Sequence, residues 1–256
     1  MVWDPQQYLK FSGHRLRPAV DLLMRIPEFP VQTVADLGAG AGNVTRLLKE
    51  RWPDAAVAGV EGSAEMVTAG KKAAPDIEWR HEDLASWRPA HRYDLIYSNA
   101  ALHWLPDHAT LFPSLMERVE SGGILAVQMP RNFTAPSHLL IAETALHGPW
   151  RGRLEHLVTP PPVREPAFYH GLLAGLSENI DLWETEYLQV LEGENPVKEW
   201  TKGTWLTRYL DVLEGEDKAA FEAAYGERVA KAYPKNPQGQ TLFPFRRLFN
   251  VAQRKI

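Results

Sequence analysis

The sequence predicts an α/β fold with a doubly wound, mostly parallel sheet of seven strands and a helical cap. Three observations lead to this prediction. Short apolar runs that are typical of buried strands alternate with segments whose apolar residues recur at helical spacing. Glycines cluster directly after the first strand, and two more strand patterns follow a proline-rich region near the end of the chain. Strands that alternate with helices imply parallel pairing through right-handed crossovers.

The first region, residues 1–29, is predicted to be a helical lid segment. Asp4 and Pro5 have the residue types of a helix N-cap and first helical position. Pro18 opens a second predicted helix, which Pro27 closes.

The second region, residues 30–130, is predicted to be a cofactor-binding core with five strands. Apolar residues at helical spacing follow the first, second and fourth of these strands. The predicted strands are Thr33 to Leu37, Val57 to Glu61, Ile77 to Arg80, Asp94 to Ser98 and Gly123 to Met129.

The third region, residues 131–256, is predicted to complete the sheet with strands at about 180–191 and 242–252. Two inserted segments, at about 131–165 and 195–234, are assigned to a helical substrate cap. The first of them is rich in proline and irregular in its pattern, so its internal structure is not predicted in detail.

Composition excludes several classes of protein. The 256 residues carry a net charge of -4 without a basic run, which argues against nucleic acid as a partner. No apolar window approaches the roughly 18 residues of a membrane span, and the first residues do not resemble a signal peptide. We therefore expect a soluble, cytoplasmic protein without a membrane partner. The absence of cysteine excludes disulfides and thiol chemistry, and we expect no metal site.

The glycine cluster after the first strand predicts a nucleotide pocket. Gly38, Gly40 and Gly42 are spaced G-x-G-x-G, whereas a dinucleotide site needs a third glycine where this chain has Asn43. A P-loop is excluded because no Gly-Lys-Ser/Thr follows. A third possibility is a site for S-adenosylmethionine, whose α-amino group needs an acid such as Asp36 nearby. The alternative role for Asp36 is that it only caps the turn.

Residues after the second strand are candidates for the ribose end of the ligand. Glu61 ends this strand, where a carboxylate can accept hydrogen bonds from both ribose hydroxyls. Gly62 and Ser63 follow it, and Ser63 caps the next helix. Met66, on the first turn of that helix, can pack on the adenine ring or belong to the core.

Residues after the third and fourth strands are candidates for the adenine end and the reacting end. Asp83 can accept from the adenine amino group while Leu84 packs on the ring, although surface acids are common. Asn99 and His103 follow the fourth strand, where polar residues face the crevice of a doubly wound sheet. Alternatively, His103 is a structural histidine whose hydrogen bonds are satisfied within the protein.

The combined motifs resemble those of class I S-adenosylmethionine-dependent methyltransferases, which have a Rossmann-like fold. The resemblance covers about residues 30–130 and rests on Asp36-Leu37-Gly38-Ala39-Gly40-Ala41-Gly42, Glu61, Glu82-Asp83 and Asn99-Ala100-Ala101-Leu102-His103-Trp104-Leu105. Flanking segments are similar to the trans-aconitate 2-methyltransferase family. They are Trp3-Asp4-Pro5 to Tyr8-Leu9, Arg15 to Ala19, Trp104 to His108, Leu125 to Pro130 and Phe245 to Phe249.

The resemblance implies a carboxyl O-methyltransferase that uses S-adenosylmethionine as its cofactor. It would methylate a carboxylate of trans-aconitate or a close tricarboxylate, a small-molecule polycarboxylate partner. A carboxylate is ionised at pH 7, so no general base is needed. Asn99 and His103 are therefore expected to orient the reacting groups, and His103 is not expected to remove a proton.

A tricarboxylate also requires cations, and arginine binds carboxylates in a bidentate manner. Arg246 and Arg247 are neighbours on a predicted strand and should point to opposite faces, so at most one of them should reach the site. For each arginine, surface solvation is the alternative role, and one of Arg15 and Arg17 is alternatively a candidate for the methionine carboxylate of the cofactor. Tyr8 is the candidate lid hydroxyl. The candidate cations are Arg15, Arg17, Arg131, Arg246 and Arg247.

Three other functions stay open at this point. A methyltransferase of the same fold could act on another small acceptor. A nicotinamide oxidoreductase is opposed by Asn43 and Asp36. The third possibility is a module that binds the cofactor but has no activity. Asp36, Glu61 and Asp83 oppose it only weakly, because they indicate a cofactor site and not catalysis. No obligate protein partner is predicted.

Overall fold

The structure is a computed structural model that describes Gly13 and residues 16–256. These residues divide into two compact units. The first unit runs to Met129 and also contains Arg164–Thr185 and Arg247–Ile256. The second unit consists of Pro130–Val163 and Glu186–Arg246.

The described part of the chain contains one sheet of seven strands, in the order β3-β2-β1-β4-β5-β7-β6. Four neighbouring pairs are parallel: β1 with β2, β1 with β4, β2 with β3, and β4 with β5. The doubly wound, mostly parallel sheet predicted from the sequence is therefore confirmed. The strands are β1 Thr33–Leu37, β2 Ala56–Glu61, β3 Glu78–His81, β4 Tyr93–Asn99, β5 Val119–Pro130, β6 Ser177–Leu191 and β7 Thr241–Arg254.

Ten α-helices lie among the described residues, and none of them is both long and apolar enough to cross a bilayer. Two short 3-10 turns, Leu102–Trp104 and Glu155–Leu157, complete the regular structure. The helices are α1 Arg17–Arg25, α2 Asn43–Arg51, α3 Ala64–Ala73, α4 His108–Met116, α5 Pro136–His147, α6 Arg151–Leu154, α7 Pro166–Leu173, α8 Pro196–Lys202, α9 Thr207–Leu210 and α10 Gly215–Ala232.

The strands at the centre of the first unit are almost completely buried, as expected for parallel strands covered on both faces. The Tyr97 hydroxyl of β4 donates a 2.7 Å hydrogen bond to the Ala19 carbonyl, which fixes α1 on one face. The same bond satisfies a phenol that burial would otherwise leave unpaired.

Trp79 of β3 packs against glycines from three different elements. A Cβ added to Gly42, Gly59 or Gly70 would come within 2.7, 3.0 or 2.3 Å of the indole ring, respectively. The indole nitrogen also donates to the Ala74 carbonyl at 3.0 Å. The three glycines thus provide the space that this tryptophan occupies between the glycine loop, β2 and α3.

The second unit has its own aromatic core, which involves α5, α8, α9, α10 and the first half of β7. The Tyr225 hydroxyl donates to the Ser137 carbonyl at 2.9 Å and links α10 to the first turn of α5. The largest buried side chains of this core are Trp150, Tyr209, Phe221, Tyr225 and Phe243.

The structure of segment 131–165 is more regular than its sequence pattern suggested, because the segment contains the 12-residue helix α5. Pro136 occupies the first turn of α5, where its missing N–H costs no helical hydrogen bond. Proline therefore begins this helix, although its abundance in the segment suggested irregular backbone.

Candidate functional site

The glycine loop between β1 and α2 has a left-handed backbone at all three glycines. The φ angles are +78° at Gly38, +55° at Gly40 and +87° at Gly42. A Cβ on Gly38 would lie 2.1 Å from the Cβ of Ala101, whereas nothing lies within 4 Å of the same position on Gly40. Backbone conformation explains glycine at each position, and close packing is a second reason at Gly38.

Asp36 is almost completely buried at the carboxyl end of β1, with 2% of its surface exposed. Its Oδ2 accepts a 2.7 Å hydrogen bond from the Thr45 hydroxyl of α2. Burial raises the pKa of Asp36 to about 7, the Thr45 bond opposes this change, and the nearby charge of Glu61 adds to it. A carboxyl group that titrates near neutrality can change its charge when a cation binds beside it.

The Glu61 carboxylate connects the glycine loop to the turn before α3. Its Oε2 accepts from the Gly40 amide at 2.9 Å, and its Oε1 accepts from the Ser63 amide at 2.9 Å. The Ser63 hydroxyl in turn accepts from the Met66 amide at 3.3 Å and caps α3. Each carboxylate oxygen retains a lone pair for a further donor. The Gly62 carbonyl, between these residues, accepts from His81 Nε2 at 3.0 Å.

The loop after β3 places Leu84 beside the first glycine. The Leu84 Cδ1 atom is 3.7 Å from the position of a Cβ on Gly38. Asp83 is exposed, and its Oδ1 accepts from the Ala85 amide at 3.0 Å, which shapes the turn. Met66 is 44% exposed on α3, a large exposed fraction for an apolar side chain.

Asn99 ends β4 and is aligned with Gln128 of β5. Ala100 follows with a φ of +53°, and its amide donates to the Gln128 carbonyl at 2.9 Å. Such a conformation is unfavourable for alanine and is typical of residues held at functional sites. The Oδ1 of Asn99 is buried and has no hydrogen-bond partner among the described residues.

His103 lies in the 3-10 turn Leu102–Trp104, is 7% exposed, and packs its ring 4.6 Å from the Trp104 ring. His108, which the sequence analysis missed, supports this turn. Its Nε2 donates to the Leu102 carbonyl at 3.0 Å, and its Nδ1 lies 2.7 Å from the Tyr169 hydroxyl. Burial lowers the pKa of His108, so the neutral ring that makes both bonds is favoured.

Gln128 and Arg247 form a buried polar pair in the first unit. The Arg247 Nη1 atom donates to Gln128 Oε1 at 3.3 Å. The exposed fractions are 6% for Arg247 and 0% for Gln128. Gln128 is a second polar residue that the sequence analysis missed, because a glutamine within an apolar strand has no motif of its own.

Arg131 and Arg246 line one cavity of about 280 Å³ within the second unit. The Arg131 amide donates to the Arg246 carbonyl at 2.9 Å. The guanidinium of Arg246 is half exposed and lies 3.6 Å from a Glu186 carboxylate oxygen. Asn132, Tyr233 and Glu186 also line this cavity, which gives it both charges and neutral donors.

The remaining candidates are more exposed or lie outside the described residues. Arg17 begins α1, is mostly exposed, and lies 3.9 Å from Asp21. Asn43 begins α2, where its Oδ1 accepts from Arg46 at 3.3 Å. Tyr8 and Arg15 fall outside the described residues. No group of three His, Cys, Asp or Glu side chains in the described ranges is arranged to hold a metal ion.

The chain matches known proteins along its whole length. The family described as "Methyltransferase domain" matches residues 34–123. The chain is 48% identical over 253 residues to the trans-aconitate 2-methyltransferase of Azoarcus sp. (strain BH72), and this covers 99% of both chains. It is 45% identical to the enzyme of that name from Streptomyces avermitilis, over 99% of this chain and 97% of the relative.

Solved structures share the fold at lower identity. One is a phosphoethanolamine N-methyltransferase 2 from Haemonchus contortus in complex with S-adenosyl-L-methionine, with a TM-score of 0.55 and 12% identity. That match covers 100% of this chain and 61% of the other. The YcgJ protein from Bacillus subtilis has a TM-score of 0.57 and 16% identity, with 94% of this chain and 99% of the other covered. At these identities the likeness concerns the fold alone.

Proposed function

The chain belongs to the trans-aconitate 2-methyltransferase family of S-adenosylmethionine-dependent methyltransferases, and from this premise we propose that it methylates a carboxylate of trans-aconitate or a close tricarboxylate. The products are a methyl ester and S-adenosylhomocysteine. The observation that carries the proposal is identity of 40–48% over nearly the whole chain, which includes the second unit as well as the cofactor-binding core. A nicotinamide oxidoreductase is set aside by this membership.

The residues at the carboxyl ends of β1, β2 and β4 have the chemistry that S-adenosylmethionine needs. Its α-amino group is a cation, and it would be accepted by Asp36 or by Asn99 Oδ1, which has no other partner among the described residues. The backbone of Gly38, Gly40 and Gly42 allows close approach of the ligand because these residues carry no side chain.

We assign the nucleoside end of the cofactor to the residues after β2 and β3. The spare lone pairs of Glu61 accept the ribose hydroxyls, beside Gly62 and Ser63. Asp83 accepts from the adenine amino group. The ring packs between Leu84 and the exposed side chain of Met66, while Asn43 at the start of α2 completes the loop.

When bound, S-adenosylmethionine supplies an electrophilic methyl group on a sulfonium centre. The attacking carboxylate is already ionised, so the protein's contribution is alignment and exclusion of water. Asn99 and His103 orient the reacting groups from the end of β4 and the following turn. His108 and Tyr169 keep that turn in place through neutral hydrogen bonds.

The arginines are assigned to carboxylates that do not react, because a guanidinium on the attacking oxygen would reduce its nucleophilicity. Arg131 and Arg246 are a candidate carboxylate-binding pair of the second unit. Arg247, on the opposite face of β7 from Arg246, is instead buried against Gln128 in the first unit. Arg15 and Arg17 of the N-terminal segment are further candidates for binding a carboxylate. Tyr8 of the same segment is the candidate lid hydroxyl. No obligate protein partner is proposed.

The decisive experiment is a methyl-transfer assay of the purified protein against a panel of small di- and tricarboxylates, with products identified by mass. We expect the highest kcat/KM with trans-aconitate and a mass increase of one methyl group. A higher kcat/KM with an acceptor that lacks carboxylates would replace the proposed substrate by the alternative, a methyltransferase for another small molecule.

A variant at Glu61 tests the cofactor assignment. Glu61→Ala should weaken binding of S-adenosylhomocysteine by roughly 1–3 kcal/mol, because the ribose hydroxyls lose their acceptor. Glu65→Ala, which removes an exposed acid from the first turn of α3, is the matched control. Unchanged affinity in a folded Glu61→Ala protein, measured by calorimetry, would remove Glu61 from the site.

A further inference from the structure

A row of polar side chains crosses three neighbouring strands of the first unit. Asn99 on β4 and Gln128 on β5 are direct neighbours in a parallel register, so their side chains lie on the same face of the sheet. Arg247 on β7, the next strand in the sheet order, donates to Gln128 Oε1. These residues form the Asn99–Gln128–Arg247 row.

Arg247 determines which way the Gln128 amide points. A guanidinium has only donors, so the amide atom 3.3 Å from Nη1 must be the oxygen. The other end of the amide, Nε2 with its two hydrogens, is therefore directed away from Arg247. Gln128 consequently offers a donor, and not an acceptor, to whatever lies beside it.

This donor is buried without a protein partner. Gln128 is 0% exposed, and its Nε2 has no hydrogen-bond partner among the described residues. An unmet buried donor costs about 1–3 kcal/mol, and native proteins keep few of them. The adjacent Asn99 Oδ1 is also without a partner in the described part of the chain. A donor and an acceptor are thus held unsatisfied side by side.

The row opens toward the crevice at Asn99. Asn99 is only partly buried, and the chain leaves β4 there through the left-handed Ala100. Polar groups at the carboxyl ends of strands in a doubly wound sheet face the ligand crevice. A ligand that reaches Asn99 therefore lies next to the Gln128 amide.

The sheet order separates this row from the nucleoside end of the cofactor. The residues assigned to the cofactor follow β3, β2, β1 and β4, which are consecutive in the sheet. Gln128 and Arg247 belong to the next two strands, β5 and β7, and strands are about 4.8 Å apart. The donors of the nucleoside end, the ribose hydroxyls and the adenine amino group, are assigned to the acceptors Glu61 and Asp83.

We propose that Gln128 is a specificity-determining residue, whose Nε2 donates a hydrogen bond to a carboxylate oxygen of the methyl acceptor. Arg247 is the positioning residue that holds the amide in the donating orientation. This inference rests on the proposed function, since it assigns the acid group of that acceptor to a particular donor. A methyl-accepting substrate that carries an amine at this position would find no hydrogen-bond acceptor on Gln128.

Two substitutions at Gln128 test the donor. Gln128→Met removes the amide at similar volume, and Gln128→Glu replaces the donor by a carboxylate that repels the acceptor. Each should raise the KM for trans-aconitate about 10- to 100-fold and leave the KM for S-adenosylmethionine within about twofold. Gln189→Met is the matched control, because Gln189 is also buried and has an amide oxygen without a partner among the described residues.

A double-mutant cycle tests the positioning role of Arg247. Arg247→Lys retains the charge but loses the planar guanidinium, so it should raise the KM for trans-aconitate about fivefold to tenfold. In the Gln128→Met background the same change should have almost no effect on this KM. Equal effects of Arg247→Lys in both backgrounds would contradict a role through Gln128.

Three outcomes are distinguishable when thermal unfolding shows that the variants are folded. A selective rise of the acceptor KM in both Gln128 variants supports the inference. Unchanged acceptor KM in both variants, with an active wild-type enzyme, overturns the inference alone, as does a rise confined to the KM for S-adenosylmethionine. A wild-type protein that neither methylates nor binds any small carboxylate overturns the proposed function and this inference with it.

Discussion

Asp36 and Glu61 lie at the carboxyl ends of adjacent strands, but their surroundings give them different properties. Asp36 is buried and accepts a hydrogen bond from the Thr45 hydroxyl, its one donor among the described residues, so its ionised form is poorly solvated. Glu61 instead receives two backbone amides, one from the glycine loop and one from the turn before α3. The charge of Asp36 can therefore respond to pH near neutrality and to a bound cation, while Glu61 determines loop geometry.

We expect Asp36→Asn to stabilise the protein more at pH 8 than at pH 5. The pKa of Asp36 is raised from 3.8 to about 7 in the folded state. Between these values the folded protein holds a proton that the unfolded chain has lost, so the free energy of unfolding decreases as the pH rises. The accumulated loss by pH 8 is roughly 4 kcal/mol, and the neutral asparagine avoids it.

Urea-induced unfolding of wild type and Asp36→Asn at the two pH values measures this difference. Asp76→Asn, at an exposed position after α3, is the control. A stabilisation that is identical at pH 5 and pH 8 would show that Asp36 does not titrate near neutrality. The same variant should bind S-adenosylhomocysteine more weakly at pH 8, where wild-type Asp36 is ionised.

Alanine substitutions at Gly38 and Gly40 distinguish the cost of a steric clash from the cost of a left-handed backbone. Gly38→Ala introduces a Cβ 2.1 Å from Ala101, whereas Gly40→Ala meets nothing within 4 Å and only has to adopt a φ of +55°. We expect Gly40→Ala to cost about 1–2 kcal/mol of stability and Gly38→Ala to cost more. Cofactor titration should show the larger loss for Gly38→Ala, and the reverse order would contradict the packing around Gly38.

Site residues that form a motif along the chain could be predicted from the sequence. Residues whose hydrogen-bond partners are distant in sequence could not. Gly38, Asp36 and Glu61 were predicted because their types and spacing are informative along the chain. Gln128 and His108 were not predicted, because their partners Arg247 and Tyr169 lie far away in sequence. Only the strand order and the packing of α7 bring these side chains together.

At the scale of elements, one aromatic side chain determines how closely three parts of the first unit pack. Trp79 of β3 fills the space left by Gly42 in the loop, Gly59 in β2 and Gly70 in α3. Glycine within a helix normally costs stability relative to alanine. In α3 this cost is outweighed, because only glycine leaves room for the indole.

We therefore expect Gly70→Ala to destabilise the protein by about 1–3 kcal/mol, against the usual helix propensity. Its Cβ would lie 2.3 Å from the Trp79 ring. The control is Gly171→Ala in α7, where nothing lies within 4 Å and a gain of up to about 1 kcal/mol is expected. Thermal unfolding compares the two, and equal shifts would contradict the role of Trp79.

Elements with strong periodicity were predicted well, including α1, which Pro18 opens, but helix α5 in the proline-rich segment was not. All seven strands were predicted, with boundaries that differ by a few residues from those observed. Helix α5 was not predicted because its segment is rich in proline. A proline count does not distinguish prolines in the first turn of a helix from those in loops. The position of Pro136 within the helix carries the information that composition lacks.

At the scale of the whole molecule, the two units contain buried groups whose pKa values shift in opposite directions. Asp36 belongs to the first unit and His138 to the second. Burial lowers the pKa of His138 from 6.5 to about 4. Acid therefore relieves a cost in the first unit and introduces one in the second.

We expect the second unit to lose stability as the pH falls from 6.5 toward 4. In this range the unfolded chain binds a proton at His138 that the folded protein excludes, so the free energy of unfolding decreases by roughly 3 kcal/mol. His138→Gln should remove this pH dependence, whereas His147→Gln, at the exposed end of the same helix, should retain it. Hydrogen exchange of α5, corrected for intrinsic rates, measures it, and equal behaviour of the two variants would contradict the prediction.

The position of Trp79 also has a spectroscopic consequence. Its indole packs against the last glycine of the cofactor loop and against the helix that follows Glu61, so a ligand that binds at this loop will alter the surroundings of that ring. Among the nine tryptophans of the chain, Trp79 is thus suited to report ligand binding at the glycine loop. We expect its fluorescence, isolated by subtracting the emission of Trp79→Phe, to follow cofactor binding in real time without an added label.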